Sequence, residues 1–146
     1  MVWKPNVTVA AIAERDGRFL LVEENTSEGV RLNQPAGHLE SGETLIDAVK
    51  REVLEETAFS FAPKYTTGIQ LWNKAPNDVT FLRISFAGDV GEFFPKRILD
   101  TGIIRTLWLS LEEIKSESHR LRSPLVLSCI TDYVDGCLFP LSVIRP

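Results

Sequence analysis

Stretches rich in β-branched and apolar residues alternate along the chain with segments of helical periodicity. Apolar residues dominate Val7–Ala13 and Arg18–Glu24, on either side of an Asp16-Gly17 turn, and this pattern predicts a β-hairpin. Further strands are predicted at Val30–Asn33, Tyr65–Asn73, Thr80–Val90 and Arg105–Leu109, with a turn at Pro76-Asn77-Asp78.

Two helices are predicted in the second half of the chain. Ser110 followed by Glu113 forms a capping box at the start of a short helix. The last helix is expected to begin near Ser123, with Pro124 at its first position, and to end at Gly136. Together with an earlier helix, these elements predict an α/β (α+β) fold with a mixed β-sheet and helices on both faces.

The earlier helix, predicted from about Thr44 to Thr57, carries acidic residues on the face that should pack. Glu52 and Glu56 fall inside its apolar stripe and Glu55 lies on the flank. Like charges at this spacing cost roughly 0.2–0.5 kcal/mol per pair, and a partly buried carboxylate costs more unless a cation compensates it. The stripe itself consists of Leu45, Ala48, Val49 and Val53.

A bound divalent metal explains this placement best. The alternative is an ordinary solvated acidic helix, but Asp47, Lys50 and Arg51 already make the opposite side polar. Ligands that offer only oxygen suit Mg²⁺ or Mn²⁺, which commonly bridge to the phosphates of a substrate. The helix therefore indicates phosphate chemistry.

Size and composition restrict the classes of function. The 146 residues suit one domain spanning 1–146, and the 44% hydrophobic and 25% charged content is typical of a globular protein. A net charge of −4 argues against a nucleic-acid polymer as partner, whereas a small anion bound through a cation is allowed. No apolar run approaches the ~20 residues that cross a bilayer, and Cys129 and Cys137 are not expected to form a disulfide. We expect a cytoplasmic protein, a monomer, with no membrane partner.

The segment from Gly37 to Phe59 carries a set of residues at fixed spacings: Gly37, Glu43, Arg51-Glu52, Val53-Leu54, Glu55-Glu56, Thr57 and an apolar Phe59. This set resembles the signature of the Nudix hydrolase superfamily. One position departs, because the family usually has glycine where this chain has Ala58, and alanine costs roughly 1 kcal/mol in the left-handed conformation that ends helices. The departure puts the end of the helix in question and removes no metal ligand.

Three further stretches are similar to the NudJ-type branch of the family. They are Asn33–Glu40, Phe81–Arg83 and Leu121–Val126. The resemblance implies a three-layer α/β/α sandwich with a mixed sheet. It also implies a phosphatase acting on nucleoside di- and triphosphates and on a hydroxymethylpyrimidine pyrophosphate.

The resemblance also implies a set of metal ligands. Glu52, Glu55 and Glu56 would bind Mg²⁺, with Mn²⁺ as a possible substitute, and the Gly37 carbonyl would be a backbone ligand. Glu52 is favoured as the general base, although that role moves among positions within the superfamily.

Two residues of the signature have supporting roles to test. Arg51 is placed four residues before Glu55, where it could orient that carboxylate for catalysis; the alternative is a surface salt bridge. Glu43 is expected to begin the helix, where it meets the positive end of the helix dipole, with or without a further role.

Several residues outside the signature are further candidates. Asn33, Arg83 and Arg122 are candidates for substrate binding; the alternative for each is a polar side chain that only faces solvent. Trp72 and Phe81 could stack on a base or pyrimidine ring, or could belong to the core.

Three more residues are candidates only. His38 could touch a phosphate, although a lone loop histidine is more often structural. Glu92 and Asp100 are unranked candidates for an extra acidic ligand from a later loop.

The function predicted is Mg²⁺-dependent hydrolysis of phosphoanhydride bonds in nucleotides and related pyrophosphates. ADP-ribose or a dinucleoside polyphosphate is an alternative substrate of the same residues. A non-catalytic nucleotide-binding module is the alternative from another class.

Overall fold

The computed structural model describes residues 1–75 and 79–146, and the predicted turn at Pro76-Asn77-Asp78 lies outside them. Within this part of the chain the strands are β1 (Asn6–Arg15), β2 (Arg18–Thr26), β3 (Gly29–Asn33), β4 (Ala36–His38), β5 (Phe59–Asn73), β6 (Thr80–Phe93), β7 (Ile103–Leu109) and β8 (Phe139–Pro140). The helices are α1 (Leu45–Thr57), α2 (Leu111–Ser116) and α3 (Pro124–Val134), with 3₁₀ turns at Ser118–Arg120 and Leu141–Val143.

The strands form one mixed sheet with the order β3-β2-β1-β6-β5-β8. β1 pairs with β6 in parallel, and the other pairings are antiparallel. β4 adds to β1, and β7 adds to β2. The predicted mixed sheet is confirmed.

Apolar side chains pack on both faces of this sheet. On one face Val49 and Val53 of α1 meet Phe86 and other buried sheet residues. On the other face Ile114 of α2 and Ile130 of α3 pack in a second buried cluster. The sheet therefore lies between two helical layers, which confirms the three-layer sandwich.

The edges of several elements differ from the sequence prediction. β5 begins at Phe59, directly after α1, rather than at Tyr65, because Phe59 and Phe61 already pair with β6. β4 was not predicted, since three residues centred on Gly37 have no strand propensity and are held by pairing with Val9 of β1.

Helix α1 has the two ends that its sequence suggests, despite the missing glycine. Thr44 is the N-cap, and its Oγ1 accepts a hydrogen bond from the Asp47 amide at 3.1 Å. Ala58 takes the left-handed conformation with φ of 63°, and its amide donates to the Leu54 carbonyl at 3.0 Å. The chain therefore accepts the local strain of alanine at this position, about 1 kcal/mol, to turn directly into β5.

The predicted capping box is confirmed. Ser110 and Glu113 form the reciprocal capping box at the start of α2. Cys129 and Cys137 are free thiols. Among the described residues, no helix has the length and apolarity required to cross a bilayer.

Candidate active site

Helix α1 presents its glutamates as the periodicity predicts. Glu52 and Glu56 are only 7% and 8% exposed, and they lie on the same face as the apolar Ala48, Val49 and Val53. The Glu55 side chain is partly exposed at the flank. Two carboxylates are thus held in the packed side of a helix, where an uncompensated charge is unfavourable.

Strand β4 brings its backbone directly against these two carboxylates. A Cβ at Gly37 would overlap the carboxylate of Glu52, so any other residue at this position would displace that carboxylate. The neighbouring Ala36 amide donates a hydrogen bond of 2.8 Å to Oε1 of Glu56. β4 therefore forms one wall of the acidic site.

Arg51 is the cation at the centre of the acidic residues. Its Nη1 donates to Oε1 of Glu52 at 2.7 Å and to Oε2 of Glu55 at 3.2 Å. Its Nε and Nη2 donate to the two oxygens of Glu43 at 2.7 and 2.9 Å, and Nη2 also donates to the His38 carbonyl at 3.0 Å. Arg51 does contact Glu55, as predicted, but its bidentate partner is Glu43.

Glu43 has a different position from the one expected. It precedes the N-cap Thr44 and so does not begin the helix. Its carboxylate accepts from Arg51 and from the Glu40 amide at 2.8 Å. The Arg51 guanidinium lowers the pKa of the Glu43 carboxyl below its usual range, which keeps the carboxylate ionised. Glu43 therefore anchors Arg51 from just before the start of the helix.

A third carboxylate reaches the site from the loop between β6 and β7. Oxygen atoms of Glu52, Glu55 and Asp100 lie within 4.8 Å of one another. The loop is held there by a hydrogen bond of 3.0 Å from the Asp100 amide to the Glu55 carbonyl. Of the two unranked candidates, Asp100 belongs to this group, whereas Glu92 lies exposed near the end of β6 and Glu56 also lies outside the group.

Burial changes the acidity of the two buried carboxyls. Burial raises the pKa of Glu52, against the opposing effect of Arg51. Burial raises the pKa of Glu56 to about 9, and the nearby Glu52 adds to the shift. In the described part of the chain, Arg51 is the one cation that bridges to Glu52 or Glu55. A group that holds more carboxyl groups than cations, and offers only oxygen ligands, fits a hard divalent cation such as Mg²⁺.

A cavity of about 260 Å³ opens next to β4 and is bordered by Gly37 and His38. The three predicted substrate-binding residues, Asn33, Arg83 and Arg122, all line it. The Trp72 and Phe81 rings, which also line it, lie stacked with centroids 5.8 Å apart and an interplanar angle of 20°. The cavity therefore combines cations, an amide and an aromatic wall beside the acidic site.

Sequence reasoning missed one acidic residue of this cavity. Glu24 at the end of β2 lines it and accepts a hydrogen bond of 2.6 Å from Nη1 of Arg122 through its Oε1. Nothing in the sequence distinguished Glu24 from other polar strand residues. It is the fold of the sheet that brings β2, β3 and β6 to the same opening.

Comparison with known proteins agrees with this geometry. The model of the NUDIX domain matches residues 3–127. Phosphatase NudJ of Escherichia coli (strain K12) is 42% identical over 143 residues, covering 98% of this chain and 92% of that protein.

Solved structures of Nudix-type proteins are also similar to this chain. A NUDIX hydrolase from Nitrosomonas europaea has a TM-score of 0.95 and 51% identity, covering 98% of this chain and 97% of that one. The E. coli ORF135 protein, at 20% identity and a TM-score of 0.73 over 98% of this chain and 94% of its own, shares the fold. The signature on α1, the family match and these relatives together show that this chain belongs to the Nudix family and is a hydrolase.

Proposed function

We propose that this protein hydrolyses a phosphoanhydride bond in nucleoside di- and triphosphates and in related pyrophosphates such as hydroxymethylpyrimidine pyrophosphate, with Mg²⁺ as cofactor and Mn²⁺ as a substitute. The observation that carries the proposal is the grouping of Glu52, Glu55 and Asp100 beside a cavity that bears cations and aromatic rings. The name phosphatase that its E. coli relative carries supports a small phosphorylated substrate.

The metal ligands proposed are Glu52, Glu55 and Asp100, with Glu56 and the Gly37 carbonyl as further ligands. Their oxygens are the ligand type that Mg²⁺ prefers. When bound, the cation would neutralise phosphate charge and lower the pKa of a coordinated water.

Glu52 is the residue we assign as general base. Arg51 donates a hydrogen bond to Oε1 of Glu52. No residue that the structure describes bonds to Oε2, so this oxygen is free to accept the proton of the attacking water. Arg51, fixed by Glu43, positions Glu52 and Glu55 relative to each other.

The substrate's organic part is assigned to the cavity. Arg83, Asn33 and Arg122 are the polar groups that would contact it, and Trp72 with Phe81 offers a planar apolar surface. In this arrangement the diphosphate extends past Gly37 towards the carboxylates. Cytoplasmic location and a monomeric state stay predictions.

The test is Mg²⁺-dependent release of orthophosphate and pyrophosphate from a panel of substrates, with the purified wild type and Glu52→Gln. The panel contains nucleoside di- and triphosphates, ADP-ribose, a dinucleoside polyphosphate and hydroxymethylpyrimidine pyrophosphate, which is the aminopyrimidine compound of the panel. We expect orthophosphate from the nucleotides or the aminopyrimidine compound. Loss of the base should lower turnover by about 10²–10⁴-fold without lowering Tm.

Glu92→Gln is the matched control, since it removes one exposed carboxylate outside the acidic group. It should leave turnover unchanged. Cleavage of only ADP-ribose or the dinucleoside polyphosphate would support the proposed reaction type but contradict the proposed substrates. Full turnover by Glu52→Gln would contradict the assignment of the base. If no compound of the panel is hydrolysed and a nucleotide still binds tightly, a non-catalytic nucleotide-binding module is favoured.

A further inference from the structure

A short segment between α2 and α3 forms one rim of the cavity beside β4. It comprises residues 118–123, and we call it the strap. The strap begins with the 3₁₀ turn Ser118–Arg120 and ends at Ser123, the N-cap of α3. Arg122 and Ser123 line the cavity. Because the 3₁₀ turn stops before Arg122, the position of Arg122 depends on contacts with neighbouring strands.

The strap lies along β3, which is an edge strand of the sheet. Leu121 forms an isolated parallel bridge with Leu32, and the Arg122 amide donates a hydrogen bond of 2.7 Å to the Leu32 carbonyl. A short backbone contact of this kind at a sheet edge opens at low free-energy cost, because water replaces the lost hydrogen bond. Backbone pairing alone therefore holds the strap weakly.

Arg120 attaches the strap to the sheet a second time. Its Nη1 donates a hydrogen bond of 2.7 Å to Oε2 of Glu23 on β2, and its Nε donates one of 2.7 Å to Oε2 of Glu117. Glu23 is 8% exposed. The hydrogen bond from Arg120, and a second one from Arg105, lower the pKa of Glu23, so the carboxylate stays ionised. The strap is thus joined to β2 by a charged hydrogen bond with little access to water.

Arg105 provides a comparison at the same carboxylate. It lies directly opposite Glu23 on β7, and its Nε donates a hydrogen bond of 3.1 Å to Oε1 of Glu23. Because Arg105 belongs to a strand of the sheet, loss of its contact leaves the strap attached. Arg105 and Arg120 therefore share one partner, but only Arg120 connects that partner to the strap.

We propose that Arg120 is a positioning residue for substrate binding, which holds the strap to Glu23 and so keeps Arg122 at the rim of the cavity. Arg122 is itself oriented by Glu24, whose Oε1 accepts a hydrogen bond of 2.6 Å from its Nη1. Glu23 and Glu24 are consecutive on β2, so their two ion pairs fix the strap on either side of Leu121. The inference rests on the proposed function, in which Arg122 contacts the substrate.

Release of the strap acts on binding rather than on the chemical step. If only a fraction of the molecules holds Arg122 in place, the apparent dissociation constant of the substrate rises by the inverse of that fraction. Saturating substrate draws the strap back into place, so kcat is retained. A merely structural ion pair has the opposite effect. Its loss lowers the folded fraction, which lowers apparent kcat and leaves KM unchanged.

The test measures kcat and KM with Mg²⁺ for the nucleotide that the wild type hydrolyses best. The variants are Arg120→Gln, Arg120→Lys and Arg105→Gln. We expect KM to rise about 10-fold in Arg120→Gln with kcat within about twofold of wild type. Arg120→Lys keeps a charged donor for Glu23 and should return KM to within about threefold of wild type. Arg105→Gln should keep the wild-type KM.

Three results of these assays would overturn the inference. They are an unchanged KM in Arg120→Gln, a loss confined to kcat, and an equal rise of KM in Arg105→Gln. If Arg120→Gln folds poorly, Glu23→Gln weakens the same ion pair from its other side and should also raise KM.

A double-mutant cycle tests whether Arg120 acts through Arg122. Arg122→Gln removes the proposed substrate contact, so adding Arg120→Gln to it should change KM by less than about twofold. If the two single effects on KM multiply instead, Arg120 acts independently of Arg122 and the inference is wrong.

Hydrogen exchange separates the inference from the function on which it rests, because it requires no turnover. The Arg122 amide, bonded to Leu32, reports whether the strap is attached. Its exchange in the metal-free protein should become at least about 10-fold faster in Arg120→Gln and stay unchanged in Arg105→Gln. Equal exchange in both variants would overturn the inference even in an active enzyme.

An inactive wild type would refute the proposed function and not, by itself, the role of the strap. The Kd of AMP, measured by calorimetry with Mg²⁺, then takes the place of KM. A Kd that rises in Arg120→Gln and not in Arg105→Gln supports the inference. An unchanged Kd, or no binding of AMP by the wild type, overturns it.

Discussion

Replacing the buried carboxyl of Glu56 by an amide should stabilise the metal-free protein at neutral and alkaline pH and reduce its activity. Glu56 is 8% exposed, and burial raises its pKa to about 9 from the ordinary value of 4.5. Because the folded pKa lies above the unfolded one, the contribution of this group to stability is full below the unfolded value. It is lost progressively as the pH rises towards the folded value.

The magnitude follows from the protonation difference between the two states. Between about pH 5 and pH 8 Glu56 is ionised in the unfolded chain, whereas the folded protein largely keeps its proton. The free energy of unfolding of the wild type therefore falls by about 1.4 kcal/mol per pH unit in this range. The upper limit is therefore about 4 kcal/mol, and relaxation around a buried charge reduces it, so we expect about 2–4 kcal/mol at pH 8. The amide of Glu56→Gln keeps Oε1 as acceptor for the Ala36 amide, so this hydrogen bond is retained.

The assay is thermal and urea unfolding in EDTA at about pH 5, 6.5 and 8 for wild type, Glu56→Gln and Glu92→Gln. The first variant should match wild type at pH 5 and exceed its Tm by roughly 5–15 °C at pH 8. The exposed Glu92 gives a control whose difference from wild type does not grow with pH. Adding Mg²⁺ should stabilise wild type more than Glu56→Gln and so narrow the gap. A Tm difference that is the same at all three pH values, or a less stable Glu56→Gln at pH 8, would refute the reasoning.

Three further substitutions test how the site is held and how helix α2 is capped. Arg51→Lys removes the two-oxygen grip on Glu43, and we expect turnover to fall by about 10- to 100-fold in steady-state assays at saturating Mg²⁺; wild-type turnover would show that Arg51 does not position the carboxylates. Gly37→Ala places a methyl group where the Glu52 carboxylate lies, so turnover should fall at least about 100-fold while circular dichroism stays native, and an active variant would contradict the close approach of β4. Ser110→Ala removes the cap of α2, far from the acidic site in the fold; it should cost about 1 kcal/mol, or roughly 2–4 °C in Tm, with turnover unchanged, and an unaltered Tm would show that the capping box adds no stability.

Much of the acidic site could be predicted from one helix. The periodicity of Ala48, Val49 and Val53 places Glu52 and Glu56 on the packing face, because residues three and four apart share one side of a helix. The structure has this arrangement. Spacing within a helix is fixed by local geometry, so a sequence is sufficient to derive it.

The partner of Arg51 shows where that reasoning ends. Helical spacing correctly predicted the contact between Arg51 and Glu55. Glu43, however, lies before the N-cap, and both of its carboxylate oxygens accept hydrogen bonds from Arg51. The position of a residue outside the helix depends on how the preceding loop returns to it. The same limit applied to Asp100, which a loop between two strands carries to the Glu55 carbonyl.

The sequence by itself determined the type and order of most helices and strands, the acidic face of α1 and the family to which its signature belongs. These features follow from periodicities, helix caps and fixed spacings, which depend only on residues close together in the sequence. The tertiary structure alone decided that β4 lies against Glu52, that Asp100 joins the carboxylates, and that Glu24 and Arg83 share one cavity. Each of these contacts joins segments far apart in the chain, so it exists only once the mixed sheet has set the register of its strands and the helices have packed on its two faces.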